Sequence, residues 1–251
     1  MGLVTGDWTK LSDLELLKLK VKDLGLTIEG TPLERRLASF EKELIQRGIR
    51  LRPRYYLGDE WFSPEGELSI AIPFYLAHPR LRALERRMMR AVEGDSAPEF
   101  RRLLRHEIGH CFDHVHRLSS TRRWRSVFGD PKRTYQPERY AVDPKSRRYV
   151  KHLPDHYAQA HPDEDFAETF AVWLGSDRAK IRLKYAGWPV AWSKLRYVES
   201  LAQKYGGKSK VAKLDRRAGI CRADRMSITL GEYYTRRKNE ELKLRKRAFA
   251  S

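Results

Sequence analysis

The chain reads as an α+β protein, mostly helical, with a small mixed or antiparallel sheet beside one histidine-rich helix. Three observations predict this. Helix-opening caps recur at Ser12, Thr31 and Ser96. Two β-like runs, IRLRPRYYL (49–57) and GELSIAIPFYL (66–76), are joined by the turn-rich GDEWFSPEG. The stretch RHEIGHCFDHVH (105–116) carries apolar residues at helical spacing.

In chain order, Ser12 and Glu15 form a capping box that opens a helix closed by Gly25. Thr31, Pro32 and Glu34 open a second, closed by Gly48. The two strand-like runs follow, then a charged helix from Pro79 to Val92. Ser96 and Glu99, with Pro98 in the first turn, open the helix that holds RHEIGHCFDHVH. Its stripe of Phe100, Leu103, Leu104, Ile108, Cys111, Phe112 and Val115 predicts burial. Residues 119–160 are irregular and rich in Arg, Pro and Tyr, which suits a functional connection or lid. A helix from Pro162 to Gly175 presents Phe166, Phe170, Trp173 and Leu174 to the core. A last clear helix lies in WPVAWSKLRYVESLAQKYGG (188–207).

A length of 251 residues, with six Trp, nine Phe and 12 Tyr, suits one sizeable core. We read a domain at 1–205 and a basic extension at 206–251. Net charge is +18, and residues 204–251 hold 15 Lys or Arg against five Asp or Glu. Such a local excess attracts nucleic acid or an acidic partner, or forms a solvated tail. No apolar run suits a signal peptide or a membrane span. Gly2 lacks the Ser or Thr at position 6 that myristoylation wants. Cys111 and Cys221 make no disulfide framework. The expectation is a cytoplasmic protein with free thiols and no membrane partner.

HEIGH fits H-E-x-x-H, which places His106 and His110 four residues apart on one helix face, where both imidazoles can reach one ion. Zinc binds His nitrogen readily, and a catalytic site keeps three protein ligands and a water. Glu107, rotated away from the histidines, can take that water's proton. Two residues compete for third ligand. His116 stands where H-E-x-x-H-x-x-G-x-x-H has its third His, but Asp113 occupies the Gly position that would permit a turn. Glu164 shares a helix face with Glu168, so one carboxylate can bind zinc while the other accepts the free N–H of a ligating His. The pattern favours Glu164. His114 continues the histidine row one turn deeper; as a fourth ligand it would close the site, as in structural zinc, and the reading favoured here is a residue that packs beside or supports the ligands.

HEIGH, followed by YAQAHPDEDFAETFAVWL and preceded by EWFSPEGELSIAIPFYLAHPRL, resembles a bacterial family of zinc-binding metallopeptidases over roughly residues 10–200. The resemblance implies a zincin-like fold. The two motifs are also similar to those of the anthrax lethal factor catalytic domain, a Glu-zincin. That likeness implies one zinc on His106, His110 and Glu164, with Glu107 as general base and Glu168 behind a ligand. It also implies that Tyr157 stabilises the tetrahedral intermediate. The segment between the motifs is longer here.

The expected function is zinc-dependent hydrolysis of peptide or protein substrates. An extended substrate would pair with residues 67–72 as an edge strand. The alternative is a nucleic-acid-binding protein that uses 206–251, with a structural or inactive zinc site.

Overall fold

The computed structural model describes residues 7–135, 140–211 and 222–248. Cys221, Gly2 and position 6 lie outside the described residues; Cys111 is a buried free thiol. The elements run in the order α1 (Asp13–Leu16), α2 (Pro32–Gln46), β1 (Leu51–Arg52), β2 (Arg54–Gly58), β3 (Ser69–Pro73) and α3 (Pro79–Met89). There follow α4 (Ala97–His116), α5 (Arg122–Phe128), α6 (Pro162–Gly175), α7 (Arg178–Tyr185), α8 (Pro189–Tyr205), β4 (Lys210–Val211) and α9 (Leu230–Ala248). The fold is therefore a mostly helical α+β arrangement. No helix among the described residues is long and apolar enough to cross a membrane.

The caps act where the sequence places them. Ser96 accepts the Glu99 N–H and starts α4; Thr31 accepts the Leu33 N–H and starts α2. The first helix is shorter than expected. The Ser12–Glu15 capping box forms, but α1 stops at Leu16. The reason is tertiary: the Val21 and Lys22 N–H groups donate to Ile228 and Met226, and the Leu230 and Gly231 N–H groups to Leu19 and Leu17. These bonds draw residues 17–22 out of helical register, and only a 3-10 turn at Val21–Leu24 survives before Gly25 (φ 61°).

The strands also pair differently. β2 and β3 run parallel, with Tyr55 opposite Ile70, and β1 pairs in parallel with β4. Antiparallel contact is confined to single bridges, among them Phe62 with Ala71. The link between β2 and β3 causes this. It is too long for a tight hairpin, and Trp61 anchors it by packing edge-on to Phe100 at 5.2 Å. The link returns alongside β3, and the Phe62 carbonyl accepts the Ala71 N–H at 2.8 Å. β3 is buried throughout. With β2 on one side and the Phe62 carbonyl on the other, the strand expected to pair with substrate has its Ala71 N–H already engaged.

α6 sits at the centre. Every residue from Glu164 to Leu174 is buried, packed against α4 on one side and α8 on another. Its apolar stripe of Phe166, Phe170, Trp173 and Leu174 is the expected one. Residues 119–160 hold more order than their composition suggests, since α5 buries Trp124 and Phe128. The basic C-terminal region also joins the body. Leu230, Tyr233 and Tyr234 are buried, and Arg237 pairs with buried Glu85 of α3 at 2.6 Å.

Candidate metal centre

α4 and α6 bring three side chains to one point. The helix of α4 runs unbroken past Asp113 to His116, because Asp113 keeps helical geometry and its Oδ1 accepts the Ser119 N–H at 2.8 Å beyond the helix end. His106 and His110 therefore stay on one face, with Nε2 atoms 3.1 Å apart. Glu164, in the first turn of α6, places Oε2 at 3.0 Å from His106 Nε2 and 3.3 Å from His110 Nε2. His161 fixes the start of α6: its Nδ1 accepts the Asp163 N–H at 3.3 Å. One ligand atom from each of His106, His110 and Glu164 falls within 4.8 Å of the others, a set that could hold a metal ion.

The second row is equally defined. Glu168 is fully buried one turn after Glu164. Its Oε1 accepts from His106 Nδ1 at 2.9 Å and its Oε2 from the Leu153 N–H at 2.8 Å. Because Nδ1 carries the proton, His106 Nε2 is left with its lone pair aimed at the cluster.

The His106 lone pair, His110 Nε2 and Glu164 Oε2 then converge, and Glu164 Oε2 is buried without a hydrogen bond. Without a cation this arrangement is costly. Burial opposes charge on His106, but Glu164 and Glu168 outweigh it and raise its pKa well above 6.5. Burial opposes charge on His110 too, and Glu164 again prevails. Burial would raise Glu164, yet the two rings hold it well below the usual carboxylate range. The pocket thus demands positive charge. A divalent ion meets that demand while leaving both rings neutral. Zinc bonds of about 2.0–2.2 Å in a tetrahedron set donors about 3.3–3.5 Å apart, close to the separations found.

Glu107 lies beside the cluster, buried, with Ser63 Oγ 2.8 Å from its Oε2 and 3.1 Å from its carbonyl oxygen. Tyr157 lies 5.7 Å from the His106 ring, centroid to centroid. Its hydroxyl is 2.6 Å from that of Tyr135, which donates to Glu164 Oε1 at 3.0 Å. Burial, then Glu164, push the Tyr157 phenol up, so it keeps its proton. Two successive residues before it, Asp155 (φ 59°) and His156 (φ 55°), are left-handed. That conformation costs about 1–2 kcal/mol per ordinary residue, and strain of this kind gathers at functional sites.

The other histidines stay out of the cluster. His114 stacks on His110 at 6.2 Å, and His116 packs between Phe112 and Tyr205, each at 4.9 Å. His152 lies 2.9 Å from the Arg102 carbonyl, to which its Nε2 donates. Sequence reasoning missed Ser63 and Tyr135. Neither has a local signature; only the fold brings a turn-linker serine and a loop tyrosine to these carboxylates.

Comparison with known proteins agrees with the motifs. Residues 85–183 match a family model described as "Putative zinc-binding metallo-peptidase", the family that HEIGH and EDFAETF resemble. This span contains α4, α6 and all three clustered side chains. No curated protein and no solved structure matches the chain.

Proposed function

We propose that the chain is a zinc-dependent peptidase of the Glu-zincin type that hydrolyses peptide bonds. One observation carries the reading: the buried, unsatisfied Glu164 Oε2 facing the Nε2 atoms of His106, whose tautomer Glu168 sets, and of His110. His106, His110 and Glu164 would hold one zinc. When bound, zinc supplies a Lewis acid and a water whose pKa falls to about 7. Glu107 would act as general base, accepting a proton from the attacking water and returning it to the leaving amine. Ser63 pins one oxygen of Glu107, so the carboxylate needs no reorganisation. The Tyr157 phenol donates to the developing oxyanion. The zincin likeness belongs to this reading, with the HEIGH helix packed beside β3 and the third ligand on the next long helix.

The test is zinc content and peptide hydrolysis measured together. Glu107→Gln should retain zinc and lose turnover by two or more orders of magnitude. Glu164→Ala should lose the metal. A wild-type protein that folds normally yet binds no zinc would refute the reading.

A further inference from the structure

The two oxygens of Glu164 face different partners. Oε2 faces the histidines, while Oε1 accepts a hydrogen bond from the Tyr135 hydroxyl at 3.0 Å. That hydroxyl also touches the Tyr157 hydroxyl at 2.6 Å. Counting protons orders the chain. A carboxylate has none to give, so Tyr135 donates to Glu164. Each phenol has one proton, so in the short contact Tyr157 must donate and Tyr135 accept.

Tyr135 is held in place from outside the site. His161 Nδ1 accepts from Asp163, so its proton sits on Nε2, which donates to the Arg133 carbonyl at 2.9 Å. The Tyr135 ring stands edge-on to His161 at 5.1 Å. The residue that caps α6 therefore also ties down the strand of chain bearing Tyr135, and Glu164 and Tyr135 are placed by one anchor.

We propose that Tyr135 is a positioning residue that restricts Glu164 to one ligating oxygen and keeps the Tyr157 hydroxyl proton turned from the metal centre until substrate arrives. The proposal rests on the metal-centre reading above. With Oε1 engaged by a phenol, only Oε2 is free for a cation, which leaves space for water in the remaining position. Tyr157 reaches an oxyanion only by releasing Tyr135. The two tyrosines thus divide the work: one sets the ligand, the other is withheld as a donor.

The experiment compares wild type, Tyr135→Phe and Tyr157→Phe, each loaded with zinc. X-ray absorption gives the ligand number and chelator competition the affinity. Tyr135 is 44% exposed, so Tyr135→Phe should fold with an unchanged thermal midpoint in chelator, where zinc linkage is removed. It should gain an oxygen neighbour at zinc as Glu164 turns bidentate, and its affinity should change by about tenfold. Tyr157→Phe should leave the zinc shell as in wild type. An unchanged shell and affinity in Tyr135→Phe, with zinc present in wild type, overturns the inference alone. A wild type that takes up no zinc overturns the metal-centre reading and the inference with it.

Discussion

Gly109 and Ala167 meet backbone to backbone: a Cβ on Gly109 would lie 2.9 Å from the Ala167 Cα and 3.1 Å from its carbonyl oxygen. This contact sets how closely α4 approaches α6, and so the gap between the two histidines and Glu164. Gly109→Ala gains up to about 1 kcal/mol of helix propensity. Overpacking against backbone that cannot give costs about 1–3 kcal/mol. The second effect should win. Denaturant unfolding should show net destabilisation, and zinc affinity should fall because the helices part. Equal stability and affinity would mean that α6 shifts freely.

Glu168→Gln tests the support behind His106. Both carboxylate oxygens accept, one from His106 Nδ1 and one from the Leu153 N–H. An amide offers one acceptor and must aim its NH2 at one of those donors. Zinc affinity should fall by about 10- to 100-fold, as measured by chelator competition.

His116 should contribute to acid sensitivity. Burial first, then Lys210 and Lys208, lower its pKa to about 4 from the usual 6.5. The folded state keeps it neutral and the unfolded state protonates it, so stability is lost as pH falls from 6.5 toward 4. His114, lowered to about 4 mainly by burial, acts with the same sign. Asp113, raised to about 6 by burial, acts oppositely. Thermal midpoints at pH 7 and pH 4.5, in chelator, should therefore drop less in His116→Gln than in wild type. An equal drop would assign the sensitivity elsewhere.

Arg237→Ala should destabilise strongly. Glu85 is almost wholly buried, and Arg237 is its ion-pair partner. Removing the cation strands a buried charge, at a cost of about 3–5 kcal/mol, discounted here because Arg237 is itself partly exposed. Replacing both, as Glu85→Leu with Arg237→Met, should recover much of the loss in chemical denaturation.

What could be read in the sequence was local. Ser96, the apolar stripe and the i, i+4 spacings of His106 with His110 and Glu164 with Glu168 are short-range signals, and short-range forces realise them. Asp113 forecast correctly that the helix would continue and carry His116 away. The shortened first helix, the parallel strands and the approach of Ser63 and Tyr135 to the site were illegible. Each depends on partners far along the chain: 17–22 on 226–231, Trp61 on Phe100, Ser63 on Glu107, Tyr135 on Glu164. Composition marked 206–251 as basic, yet Leu230, Tyr233 and Tyr234, apolar or aromatic residues scattered among the charges, are buried in the body.

The clasp between residues 17–22 and 226–231 has a bearing on biosynthesis. Elongation delivers residues 17–22 well before their partners and withholds the other half until residue 231 clears the ribosome. α4 and α6 emerge long before. The nascent chain thus displays the histidine and glutamate helices while its closing contacts are still untranslated. Contacts of such sequence separation form slowly, and domains assemble as units. Order of translation and order of closure run opposite ways in this polypeptide, and chaperone occupancy on the ribosome should last until residues 226–231 arrive.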